Sequence, residues 1–297
     1  MVDIMKYFYI SLALIILSTN ILHSNNDSLE IRHNFDDDYW KDMLIFGIKK
    51  PTIDISIGLS NPSIDKSVIP DNMSKLGYLS GVFGFSNSYK SSNSDIIFRE
   101  KGTYLLIEHN NIDLPLSNAK NGDISSNAWR IGVGSQSANI YDLGGNVRLS
   151  FNNLSNIGWV WINFRDSAST EESRNHQIYL SDGVRFSNQV GNEIKLFLTD
   201  NLGFNLGYNR TEIFTRHLFW YWAGSEIIYQ IGSNTIDWFV SSIEKSTPSA
   251  SPIIYFVLHS VYNYGMYELR KSNMNWPFDT SSPLIYDNFK FGLSFRF

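Results

Sequence analysis

The chain has 297 residues, of which 43% are hydrophobic, 15% aromatic and only 18% charged, with a formal net charge of −5. Soluble domains are about a quarter charged, so this surface is short of charge, and mild acidity argues against a nucleic-acid partner, which calls for clustered Lys and Arg. Cysteine is absent, which excludes a disulfide framework and thiolate chemistry.

At the start, Lys6 precedes an apolar run from Tyr7 to Leu17, followed by the small polar residues Ser18 and Thr19. This is the outline of an export signal, with cleavage expected between Ser18 and Ser24, so residues 1–24 read as a signal peptide. About eleven apolar residues are too few to cross a bilayer core of roughly 30 Å as a helix. Nothing later supplies eighteen uncharged apolar residues in a row, so a membrane-spanning reading requires strands. Residues 25–50 form a polar lead-in. Within it Asp36, Asp37 and Asp38 read as a solvated turn, because adjacent side chains diverge and no calcium-loop spacing follows.

From residue 51 onward, period-two alternation dominates. Ile53, Ile55, Ile57 and Leu59 alternate with Asp54, Ser56 and Gly58, and Asn61-Pro62 closes the run. Leu79, Gly81, Phe83 and Phe85 follow. Residues 95–100 and 103–108 flank Lys101-Gly102, which reads as a two-residue hairpin. Trp129 to Val133, Val147 to Phe151, Ile157 to Phe164, Gln177 to Phe186, Glu193 to Thr199 and Leu202 to Tyr208 are further strands. Small residues such as Gly203, Asn205 and Gly207 on the face opposite Leu202, Phe204, Leu206 and Tyr208 suit a narrow lumen. The Ser- and Asn-rich stretches 86–94, 116–127 and 167–175 read as exposed loops.

Residues 215–270 break the pattern. Ile236, Phe239, Val240 and Ile243 share a helical face, and Ser251-Pro252 reads as a helix start. Two or three helices inserted before the last strand are expected, occluding the lumen or packing at its mouth. The rival reading is a hairpin turning at Gly232-Ser233-Asn234.

The last stretch is the most informative. Phe289, Phe291, Leu293, Phe295 and Phe297 fall on one face, with Lys290, Gly292, Ser294 and Arg296 on the other. This tail resembles the C-terminal strand of bacterial outer-membrane β-barrel proteins. The resemblance implies that the barrel assembly machinery reads those five positions, and that residues 51–297 form an all-β transmembrane antiparallel barrel in the cell outer membrane, surrounded by its lipid. Ten to twelve strands are expected. Eight Trp and sixteen Tyr then read as interfacial girdles rather than sugar-stacking platforms.

The six histidines, His23, His33, His109, His176, His217 and His259, form no metal-ligand motif, so no metal or cofactor is expected. His217 and His259 with Ser260 are the candidates for acyl-hydrolase chemistry, with Glu268 or Glu226 orienting the imidazole. Adjacent side chains on a strand diverge, which weighs against His259 activating Ser260. The sequence therefore favours a non-enzymatic barrel, either a narrow or plugged channel or a structural component of the outer membrane. A lipid-modifying enzyme and an adhesion or recognition barrel are the alternatives.

Overall fold

A computed structural model describes residues 50–91, 94–118 and 122–297; the predicted signal peptide and nearly all of the polar lead-in, with His23, His33 and the Asp36–Asp38 run, lie outside them. The alternating stretches become eight antiparallel strands: β1 (Lys50–Ser63), β2 (Leu76–Lys90), β3 (Ile97–Asn111), β4 (Ser126–Gly144), β5 (Val147–Phe164), β6 (Val184–Phe197), β7 (Leu202–Ile213) and β8 (Leu284–Arg296). Each strand pairs with its sequence neighbours, and β8 pairs with β1 to close the barrel.

The barrel and the helical insertion agree with the sequence reading, but the strand count is eight rather than ten to twelve. Lys101-Gly102 is no turn. It lies within a continuous β3, where Gly102 pairs with Ser86 and Gln136, so this glycine serves a crowded interior. Residues 177–186 are likewise not one strand: they are divided between a helix, α1 (Glu171–Ser181), and the start of β6. The loops predicted at 86–94 and 167–175 are also shorter, because β2 runs on to Lys90 and α1 begins at Glu171.

One end of the barrel has brief connections, residues 91–96, 145–146 and 198–201, and the other has long ones, residues 64–75, 112–125, 165–183 and 214–283. The tightest, between β4 and β5, uses Gly145 and Asn146 at positive φ, the conformation these residue types tolerate best. The start of β1 and the end of β8 lie at the short-turn end. At the closing seam the chains approach so closely that a Cβ on Gly58 would sit 1.9 Å from the Phe289 carbonyl oxygen, and one on Gly292 2.0 Å from that of Ile55.

The two faces of the wall are inverted relative to a soluble protein. Asp54, Ser56, Glu100, Glu108, Arg130, Asn156, Gln189, Glu193, Lys195, Lys290 and Arg296 are buried inside, while Ile55, Ile57, Phe83, Phe85, Leu105, Ile107, Phe204, Leu206, Phe289, Phe291 and Leu293 are exposed outside. Towards the long-loop end the outer face carries His109, Trp129 and Trp161 on neighbouring strands, with the first two rings stacked at 4.0 Å. This is the aromatic row expected at a membrane interface.

The segment between β7 and β8 folds as α2 (Phe219–Ser246), a single 3₁₀ turn (Pro248–Ala250) and α3 (Ser251–Arg270). The rival turn at Gly232-Ser233-Asn234 is thus helix interior. The expected placement of these helices is overturned. Every wall side chain they contact belongs to the outward set: Arg99 on β3, Ser137 and Tyr141 on β4, Phe151 and Asn153 on β5, Phe186, Asn188 and Asn192 on β6, and Arg210 and Glu212 on β7. The hairpin clads the outside of the barrel instead of plugging it. An eight-stranded barrel has an interior only wide enough for its own side chains, so two helices have no room within.

Candidate functional site

Two polar regions could carry function: the lumen, and the seam between the hairpin and the outer wall. In the upper lumen, Arg130 Nη1 donates to Glu108 Oε2 at 2.8 Å and its Nε to Ser187 Oγ at 2.9 Å. The third guanidinium nitrogen of Arg130, Nη2, donates to Asn156 Oδ1. Tyr78 Oη donates to Glu108 at 2.5 Å, and Gln189 Nε2 donates to both of its oxygens at 2.8 and 3.0 Å. Further down, Lys195 Nζ lies 2.7 Å from Asp54 and 3.7 Å from Glu193, which is itself 3.5 Å from Lys290. Nearest the short-turn end, Arg296 pairs with Glu100 at 2.5 Å, and its guanidinium lies 4.6 Å from the Phe197 ring centroid. Four buried carboxylates thus face four buried cations along the lumen. A charge kept from water is tolerable only when paired and hydrogen-bonded, and here the pairs cross from strand to strand and fill the cross-section.

At the long-loop end an apolar lid closes the lumen. Ile64 and Ile69 from the first long loop, Ile124 from the second, and Ala168 and Leu180 from the third pack on Leu76, Ala128, Val160, Ile162, Ile213, Leu284 and Tyr286 of the wall. The loops are tied together by side chains. Ser125 donates through its backbone and hydroxyl to Asp166, Ser169 does the same to Asp71, and Arg165 forks onto Asp113. These bonds hold the Asp71, Asp113 and Asp166 carboxyls below the ordinary carboxylate value. Arg185 donates to the carbonyls of Tyr179, Leu180 and Asp182, satisfying the C-terminal end of α1. A cleft of about 430 Å³ opens beside the lid, among Pro62, Lys66, Met73, Lys75, Asn118 and Asp123.

On the outer seam, His259 Nε2 lies 2.9 Å from Asp237 of α2, and its Nδ1 lies 3.2 Å from the Asn153 amide of β5. The amide and carboxylate fix the tautomer: Nε2–H donates to Asp237, and Nδ1 accepts from Asn153. Ser260 bonds the Asn192 amide at 2.5 Å. Asn263 reaches Asn153 and Asn192, and accepts from Tyr229 at 2.8 Å.

The sequence candidates do not come together. The carboxylate on His259 is Asp237 rather than Glu226 or Glu268, which instead face Arg270 and Lys271. Ser260 is turned to Asn192, and His217 lies against the Phe186 ring at 6.3 Å. With both ring nitrogens of His259 engaged, no hydroxyl stands where a nucleophile would be deprotonated. What the sequence reading missed was Asp237 as the partner, and the signal was its spacing. Asp237 lies four residues after Ser233 and seven before Glu244, beside the polar stripe of α2. No group of metal-binding side chains occurs among the described residues. Phe289, Phe291, Leu293 and Phe297 stand out from the wall beside β1, and the Phe297 amide donates to the Pro51 carbonyl at 3.0 Å.

A polar, ion-paired interior within an apolar exterior decides the class. This is the architecture of an outer-membrane β-barrel. No family model and no curated protein matches the chain. Among solved structures it is similar to Neisserial surface protein A, with 8% identity and a TM-score of 0.40 over 83% of this chain and 97% of the other. It is also similar to Ail, the attachment invasion locus protein of Yersinia pestis, with 8% identity and a TM-score of 0.32 over 84% and 99%.

Proposed function

We propose that the protein is a non-enzymatic structural component of the outer membrane, exported by its N-terminal signal and inserted by the barrel assembly machinery through the β8 outer face. The observation that carries this reading is the lumen, cross-linked by Glu108–Arg130, Asp54–Lys195 and Glu100–Arg296 under an apolar lid. A solute path would require both features to open. Of the two non-enzymatic forms the sequence allowed, the closed structural barrel therefore has the better support. The test is conductance of the purified barrel in planar bilayers. No stable unitary steps are expected, and steady channels in the wild-type protein would replace this reading with a pore.

A recognition role has its own support in the side-chain bonds that tie three long loops into one platform, since a preorganised surface loses less entropy on binding. The acyl-hydrolase reading has none from the geometry of His217, His259 and Ser260.

A further inference from the structure

At mid-height, the wall is not apolar all the way round. Ile55, Phe83, Leu105, Leu206 and Phe291 mark the belt on β1, β2, β3, β7 and β8, but β4, β5 and β6 present Ser135, Ser137, Asn153, Ser155 and Asn192 to the outside. A bare wall of that kind would hold amides and hydroxyls in hydrocarbon with no partner. Three of the five find partners on the inner face of the hairpin: Tyr255 for Ser137, His259 and Asn263 for Asn153, and Ser260 for Asn192.

The opposite face of the hairpin is largely apolar, interrupted on α2 by the exposed Asn234, Thr235 and Asp237. Ile227, Ile231 and Trp238 line α2, and Ile253, Val257, Val261 and Tyr264 line α3. Val261 is 64% exposed and Ile231 59%, against 50% for Phe289 on the bare belt. Exposed hydroxyls on α2 turn back on their own helix: Thr235 donates to the Ile231 carbonyl at 2.8 Å and Ser242 to that of Trp238 at 3.1 Å. That is how Ser and Thr satisfy a donor when no water is at hand. Charges gather at the two ends, with Glu226, Glu268 and Arg270 near the long loops and Glu244 and Lys245 at the other end. Between them the one acid is Asp237, whose half-exposed carboxylate bonds the buried His259, the kind of partner an ionisable group inside a membrane requires. The 20 residues of α3 span about 30 Å, the depth of a hydrocarbon core.

We infer that the α2–α3 hairpin lies within the bilayer as external cladding of the barrel, and that its Ile231, Trp238, Val257 and Val261 face is covered by lipid acyl chains. No described helix is long and apolar enough to cross a membrane alone. The inference requires none, because the polar half of each helix is matched to the wall. It rests on the outer-membrane reading above.

The absence of native cysteine makes the test direct. Full-length single-cysteine variants Ile231→Cys, Val257→Cys and Val261→Cys would be labelled with bimane and reconstituted in phosphatidylcholine vesicles with or without doxyl-labelled phosphatidylcholine. Phe291→Cys serves as the belt control and Glu171→Cys as the aqueous one. Hairpin positions should lose emission to the same extent as Phe291→Cys, while Glu171→Cys keeps its emission. Quenching at Phe291→Cys without quenching on the hairpin overturns the inference and leaves the membrane barrel intact; that is also the result if a second copy or another protein covers the face. Loss of quenching at Phe291→Cys as well removes the membrane reading itself, and the cladding with it.

Discussion

Arg130 is the residue on which most of the upper lumen converges. Its three guanidinium nitrogens reach Ser187 on β6 and Glu108 and Asn156 on β3 and β5, the two strands paired with its own. Replacing it with Met leaves the Glu108 carboxylate buried without a counter-charge, a change that costs about 3–5 kcal/mol. The expected result for Arg130→Met is a lower unfolding midpoint in urea and loss of the compact, unboiled gel band at lower temperature. Adding Glu108→Gln to the same chain should recover much of the loss, because the stranded charge is then gone. A double variant no better than the single one would show that Arg130 acts through Ser187 and Asn156 rather than through its ion pair. Such pairs were only half legible in the sequence. Alternation placed Asp54, Lys290 and Arg296 on the polar face, but which acid meets which base depends on register across strands far apart in the chain, as with Glu100 and Arg296.

At the level of single elements, the lid is built to respond to acid. Burial and the neighbouring Arg185 and Arg216 lower the His176 pKa from its ordinary 6.5. The folded lid therefore keeps this imidazole neutral while the unfolded loop takes up the proton, and stability falls as pH drops through 6.5. Asp71, Asp113 and Asp166 have pKa values lowered from 3.8 by their serine and arginine partners. Their contribution is complete above that value and is lost as pH falls below it. Protease cleavage between residues 165 and 183 should thus rise in two stages. His176→Gln should abolish the first and Asp166→Asn should weaken the second, while the strands stay resistant. A single stage unaffected by His176→Gln would contradict this assignment. The helices illustrate what pattern can and cannot reveal. The i, i+3, i+4, i+7 spacing from Ile236 found α2, and Ser251-Pro252 found the start of α3 to within a residue. Their position outside the barrel was hidden, since it follows from Asn153 and Asn192 facing outward, and polar outward residues look like lumen residues until the register is known.

For the whole molecule, the closing strand carries the clearest prediction. Removing Phe297 takes away an exposed ring and the amide that donates to Pro51. If the assembly machinery reads this strand, the shortened chain should accumulate outside the outer membrane, without the faster unboiled migration of a folded barrel. Normal insertion of that variant would remove the proposed role of the last residue. The class of fold was legible because five alternating positions at one end and the Ile53 to Leu59 run share a period that only strands have. The count was not, since Lys101-Gly102 inside the 15-residue β3 resembles a turn and residues 177–186 join the end of a helix to the start of β6.

The hairpin also divides the circumference of the barrel into two flanks of different use. It lies between β7 and β8 in the chain but rests mainly on β4, β5 and β6, with its ends reaching Arg99 of β3 and Arg210 and Glu212 of β7. Its tip reaches down the full height of the wall, to Ser91 and Arg99 at the short-turn end. The contacts of the hairpin and the closing seam thus lie on different flanks of the ring, joined by the single chain segment from Lys271 to Pro283. Among the described residues the β1 edge makes no hydrogen bond or ion pair with the hairpin, and the Asn153 and Asn192 amides stay covered by the helices.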